Sequence, residues 1–156
     1  MPVKLLALAA VALLIGGGVV WTQAIEGRAE NQLAWQDVTA QMGPVLWPKS
    51  VSRSFWRRRQ VVRYLARTFP LRPPEVPAFD FDRRRLVLVA AGPRSSTGYG
   101  VRIVRITERR KTIDVLARET TPSLDTPVVA RPTSPYRLIT VPATSKRVYV
   151  QWQGRP

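Results

Sequence analysis

Leu86-Val87-Leu88-Val89-Ala90-Ala91 is a short, nearly continuous apolar run, and the residues after it alternate. Val101, Ile103 and Arg105 interleave with Arg102, Val104 and Ile106, and Ile113, Val115 and Ala117 interleave with Asp114, Leu116 and Arg118. Side chains two apart share one face of an extended chain, so these stretches read as strands. Glu108-Arg109-Arg110-Lys111 lies between the last two and predicts an antiparallel hairpin. A loop rich in Pro, Thr and Ser runs from Thr121 to Pro135. Two more strands are then predicted near Tyr136 to Val141 and Val148 to Trp152, connected through Pro142 to Lys146.

Upstream, Leu71-Arg72-Pro73-Pro74-Glu75-Val76-Pro77 is an extended connection, because each proline fixes its own φ and restricts the residue before it. Before that, Phe55, Val62, Leu65, Ala66 and Phe69 fall at helical spacing among Arg57, Arg58, Arg59, Arg63 and Arg67. This pattern predicts one amphipathic helix over 54–68, stopped by Pro70. Residues 25–50 are mixed, broken at Gly43-Pro44, and read as a tether passing into a first irregular layer. The expected class is α+β, mostly β: a small antiparallel sheet, curled or sandwich-like, with one packed helix. Three parts follow, namely residues 1–24 as a membrane-targeting segment, 25–50 as tether and 51–156 as the domain.

Leu5 to Trp21 is an uncharged run of 17 residues behind Lys4. At 1.5 Å per residue a helix of that length reaches roughly 25 Å, which fits either a cleaved signal or a retained single-pass anchor. Thr22-Gln23-Ala24 offers a loose cleavage site, and Trp21 suits an interfacial anchor. Positive charge precedes the run and only Arg28 closely follows it, which orients the body of the chain outside the cytoplasm, secreted or anchored through residues 5–21.

The chain has neither His nor Cys, which removes the usual general base, the usual soft metal ligands, the thiol nucleophile and every disulfide. Ser145 and Lys146 are sequence neighbours and point apart on a strand, so they make no nucleophile–base pair. Asp80 and Asp82 share a face if extended, but Arg83-Arg84-Arg85 follow and would pair with them at a charged strand edge. The expectation is therefore no enzyme, no cofactor and no metal. Lys and Arg number 25 against 10 Asp and Glu, a net charge of +15, and all but four of the basic residues are Arg. Beyond a membrane segment that charge argues against nucleic acid and for lipid head groups, acidic wall polymers or acidic protein surfaces, or else for solvated arginines. Arg57, Arg58 and Arg59 are the candidate anionic-surface contacts.

Pro77-Ala78-Phe79-Asp80-Phe81, the strand Leu86 to Gly92, the turn Arg94-Ser95-Ser96-Thr97-Gly98-Tyr99 and the strand start Thr133-Ser134-Pro135-Tyr136 follow one another in an order that resembles the C-terminal domain of the PrcB family. The likeness covers residues 54–150. It departs in one place, since the family often shows two glycines before the tyrosine and here the order is Thr97-Gly98-Tyr99-Gly100. The resemblance implies a non-catalytic accessory or binding domain on exported proteins, often near proteolysis, and carries no catalytic residues across. The same turn resembles one loop of the chagasin-type cysteine protease inhibitors; Arg131-Pro132 is followed by Thr133 rather than by that family's Trp, and no glycine-rich loop follows Gly100.

The candidate binding residues are Arg94, Ser95, Ser96, Thr97, Gly98, Tyr99 and Gly100, with Pro135 and Tyr136. Gly98 permits positive φ, and Tyr99 offers a large rigid contact with a polar tip. Both tyrosines also suit a second role, filling the sheet edge where strands begin. The expected function is an exported, membrane-anchored accessory or assembly subunit that binds another extracytoplasmic protein, a protease being one candidate. Protease inhibition and anionic-surface binding are the alternatives.

Overall fold

The computed structural model describes residues 32–154. The expected targeting segment and the first part of the tether lie outside the described residues. No described helix is long and apolar enough to cross a membrane.

Seven strands and two helices make up the described chain. β1 (Gln36–Asp37) and the single-turn α1 (Thr39–Met42) precede β2 (Val51–Phe55) and α2 (Arg58–Thr68). β3 (Arg84–Ala90), β4 (Gly100–Glu108), β5 (Thr112–Thr120), β6 (Tyr136–Pro142) and β7 (Arg147–Gln153) follow. They form two sheets, ordered β1-β6-β3-β2 and β4-β5-β7. The fold is mostly β with one packed helix.

The apolar run Leu86 to Ala91 has a physical reason. β3 is interior in its sheet and buried on both faces, which calls for apolar side chains at every position from Leu86 to Ala90. Leu86, Leu88 and Ala90 face one cluster with Phe55, Val61, Leu65, Leu138 and Trp47. Val87, Val89 and Ala91 face the other, with Val101, Ile103, Ile113, Val115 and Val141. The four-stranded sheet is thus the middle layer, with α2 and the loops on one side and the three-stranded sheet on the other.

The β4–β5 hairpin forms as expected, Gly100 pairing with Thr120 and Glu108 with Ile113. Its alternation needs a correction. A register shift between Ile103 and Arg105 leaves Val104 exposed and moves the phase by one, so Ile106 rather than Arg105 joins Val101 and Ile103 in the core. The purely antiparallel sheet is also corrected, because β7 runs parallel to β5. β6 and β7 lie in different sheets, and the short connection Ala143 to Lys146 crosses between them instead of closing a hairpin.

The helix starts at Arg58 rather than Ser54, and Phe55 ends β2, paired with Leu86. Its first turn is fixed by the Gln60 side chain, which accepts from the backbone N–H groups of Trp56 at 2.8 Å and Arg57 at 3.2 Å. At the other end Phe69 N donates to Leu65 O at 2.8 Å, and Pro70 stops the helix. Leu65 is buried and Phe69 packs against the core as expected, but Val61 and Tyr64 take the places given to Val62, which is 46 % exposed, and Ala66, which is exposed. The Asp80 to Arg85 stretch is charge-paired only in part and is not a strand edge, since β3 is interior. Asp80 Oδ1 accepts from the N–H groups of Asp82 (2.8 Å) and Arg83 (3.3 Å) in a turn, and Arg83 is the arginine of the three that pairs with it, at 3.5 Å.

Candidate functional site

The loop from Pro93 to Tyr99 leaves the middle sheet at β3 and enters the outer sheet at β4, so rigid layers hold both its ends. It is also pinned along its length. Arg94 and Thr133 exchange backbone hydrogen bonds at 2.8 and 2.9 Å, and Thr133 Oγ1 donates to Ser96 O at 2.7 Å. Thr97 N donates to Val129 O at 3.0 Å, while Thr97 Oγ1 accepts from Val129 N at 2.8 Å. The long loop 121–135, irregular as expected, is in this way tied to the shorter one.

Gly98 adopts φ +93°, and a Cβ there would lie 2.8 Å from Pro122 Cβ and 2.9 Å from Val128 Cγ1. Both the backbone conformation and the packing require glycine. Arg94 turns away from the loop tip and forks onto Glu119 of β5, Nε to Oε1 at 2.5 Å and Nη2 to Oε2 at 2.7 Å. The hydrogen bond to Glu119 raises the Arg94 pKa further, against the opposing effect of burial. Arg94 is therefore a brace, and its guanidinium also lies 5.9 Å from the centroid of the Tyr99 ring.

Thr97, Gly98 and Tyr99 form one wall of an open groove of about 470 Å³. Arg131 to Tyr136 form its floor and second wall, and Pro44 to Leu46 close the third side. The structure thus brings together five of the sequence-derived candidates: Thr97, Gly98, Tyr99, Pro135 and Tyr136. Arg94, Ser95 and Ser96 shape the loop without lining the groove, and Gly100 opens β4, where a Cβ would sit 2.6 Å from Thr120 Oγ1. Arg57, Arg58 and Arg59 are exposed at the start of α2 and take no part in the groove.

Tyr136 is buried. Its hydroxyl donates to Gly43 O, and Leu138 N donates to Thr39 Oγ1 at 2.9 Å, so the first strand and helix are stitched to β6. Burial, assisted by the nearby Asp37 carboxylate, pushes the phenol pKa up to about 12. The protonated phenol is favoured in the folded state, so its stabilisation is full below the unfolded value of 10 and is lost as pH rises towards 12. The shift corresponds to about 2.5 kcal/mol. Tyr136→Phe should flatten the fall in unfolding free energy across that window relative to wild type, measured by denaturant titration at several pH values; equal slopes in the two proteins would show that the Tyr136 pKa does not differ between the folded and unfolded states.

The Pro44–Leu46 wall was not anticipated. Its signal lies in Val45-Leu46-Trp47, where Val45 and Trp47 are buried and Leu46 between them is 64 % exposed. Val129, beside Thr97, is 61 % exposed within an otherwise polar loop. Apolar side chains presented outward beside a groove are what a contact surface needs.

A family comparison bears on this segment. Residues 85–142 match the model of the PrcB C-terminal family. The resemblance read from the motifs is thereby shown for this segment, which runs from β3 to the end of β6. The PrcB C-terminal match contains both groove stretches, 97–99 and 131–136, while Pro44 to Leu46, β2 and α2 lie outside it. No curated protein and no solved structure matches the chain.

Proposed function

We propose that this chain is an exported, membrane-anchored, non-catalytic binding module, an accessory subunit of an extracytoplasmic protein complex with a protease as the partner of first choice. The PrcB C-terminal match supports a role related to a protease complex. The observation that carries the binding reading is the groove, whose walls are held rigid by Arg94–Glu119 and Thr97–Val129, with Leu46 and Pro132 exposed and Tyr99 half-buried along it. A surface already ordered loses little conformational entropy on association.

The polar groups of the groove favour contact over chemistry. Ser134 Oγ donates to Trp47 O at 3.1 Å, Thr133 Oγ1 to Ser96 O, and the Tyr136 hydroxyl to Gly43 O, so each serves the fold. None is paired with a base that would activate it. Tyr99 remains as the large amphipathic side chain at the rim, the residue type most often found at the centre of interfaces.

Tyr99→Ala should weaken partner binding by about 2 kcal/mol while leaving the thermal midpoint close to wild type. Crosslinking and pull-down from membrane and secreted fractions supplies the partner, and calorimetry on the purified pair gives the affinity. If the midpoint falls and binding merely follows the folded fraction, Tyr99 is a core residue and the groove is not the interface. Recovery of wall polymer without protein would overturn the accessory role.

A further inference from the structure

Arg85 follows Arg84 at the start of a strand that is apolar from Leu86 onward, and it is 3 % exposed. Burying a guanidinium removes its hydration, and such groups are ordinarily compensated by a carboxylate. Arg85 has none. Its compensation is a hydrogen bond from Nη1 to Lys146 O at 2.6 Å and the ring of Trp56, over which its Cζ sits at 3.6 Å. The side-on edge made by Nε and Nη2 donates no hydrogen bond among the described residues. That edge is the planar fork that matches two oxygens of an oxyanion. It is not sealed either, because Trp47 Nε1 is the buried side-chain nitrogen without a partner among the described residues.

Arg85 lines a second open groove, of about 440 Å³, at the corner where β6 crosses to β7. Arg57 and Arg84 line it too, and neither makes an ion pair among the described residues; Arg84 donates to Thr140 Oγ1 at 2.7 Å and to Thr140 O at 3.1 Å. Asp82 is the one acid on the lining, so three guanidinium groups against one carboxylate leave a surplus of two positive charges. Two hydroxyls complete the set. Thr144 Oγ1 accepts from Lys146 N at 3.2 Å and keeps its own O–H to donate, and Ser145 Oγ makes no hydrogen bond among the described residues. The first turn of α2 contains no acidic residue, and its N-cap Arg57 and first two residues, Arg58 and Arg59, are arginines, an arrangement that opposes the helix dipole and that an anion beside Arg57 would relieve.

We propose that the groove between Trp56, Arg57, Arg84, Arg85 and the Thr144-Ser145 corner is a phosphate site that takes the dianion of a phosphomonoester or of inorganic phosphate, with the free edge of Arg85 as its bidentate donor. The surplus of two charges selects a dianion over a singly charged carboxylate or phosphodiester. Burial lowers the Arg85 pKa, a direction that a bound anion reverses. This site is separate from the Tyr99 groove, and either can fail without the other.

The test is calorimetric titration of the full chain in non-ionic detergent with inorganic phosphate, ionic strength being held constant with chloride. Expected is saturable binding at one site per chain, accompanied by a shift of one Trp indole N–H resonance. Arg85→Lys keeps the charge but loses the fork, and should weaken binding by tenfold or more, on the order of one charge-assisted hydrogen bond. Arg57→Gln and Ser145→Ala alter exposed side chains and should each weaken it several-fold with the fold intact; they decide the matter if Arg85→Lys does not fold. Equal affinity in wild type and all variants would overturn the site. Acetate or dimethyl phosphate binding as tightly as phosphate would overturn the dianion assignment.

Discussion

Trp47→Ala should destabilise the protein by about 3–5 kcal/mol, the range for removing a buried Trp, and lower the thermal midpoint by roughly 10–20 °C. Trp47 is fully buried and stacks at 6.3 Å on Tyr64 of α2. It also meets Phe69 edge-on at 5.2 Å and Tyr136 of β6 at 5.8 Å. One indole therefore joins the helix, the middle sheet and the segment before β2, and its loss leaves a cavity that three rigid elements cannot close together. Trp47→Phe should cost far less. It keeps an aromatic ring at that position and removes the indole N–H, which is buried without a hydrogen-bond partner among the described residues. Thermal unfolding of both variants checks the ordering; an alanine variant no worse than the phenylalanine one would show that the cavity collapses.

The same residue connects stability to the proposed interface. Trp47 O accepts from Ser134, and its neighbours Val45 and Leu46 form the third wall of the Tyr99 groove. Affinity in Trp47→Ala should therefore fall even at temperatures where the protein stays folded, because the wall loses its backing. The PrcB C-terminal match carries the loop and the floor of the groove, and residues outside it complete the shape.

How much of this could be read from the sequence follows from which patterns have one meaning. The β4–β5 hairpin, β6, β7 and the irregular 121–135 loop were legible, since period-2 alternation and proline punctuation allow few alternatives. The site loops were legible as motifs, but their meeting was not. Residues 94–97 and 129–133 are far apart in sequence, and most of the hydrogen bonds that join them run between backbone groups that every residue carries, with only the Thr97 and Thr133 hydroxyls added. β2 was hidden because Val51 and Phe55, four apart, fit a helix stripe as well as the ends of one strand face. The residue between them on that face is Arg53, whose guanidinium lies 4.9 Å from the Tyr64 ring and 5.8 Å from that of Phe55, so a cation occupies an apolar position. The parallel β5–β7 pairing was hidden by the short connection before β7, which reads as a hairpin unless the two strands are known to occupy different sheets.

Arg94→Ala should cost about 3 kcal/mol of stability and weaken partner binding as well, although Arg94 does not line the groove. The Arg94 and Glu119 side chains are 25 % and 14 % exposed, and losing the arginine leaves a largely buried carboxylate without its bidentate partner. That exposure puts the cost at the low end of the range for breaking a buried pair, through solvent screening. The loop then keeps the Thr97–Val129 and Thr133–Ser96 hydrogen bonds but loses its tie to β5, so part of the ordering that was present before binding must occur on binding. Arg94→Lys should recover charge but not the two parallel hydrogen bonds, and so only part of the stability. In a double-mutant cycle with Glu119→Gln, the Arg94→Ala and Glu119→Gln losses should be non-additive, with a coupling of about 2 kcal/mol in denaturant titrations. Additive losses would mean that each side chain acts through other neighbours. Partner affinity unchanged in Arg94→Ala, with stability lowered, would separate the brace from recognition and return the binding role to Tyr99 and Leu46 alone.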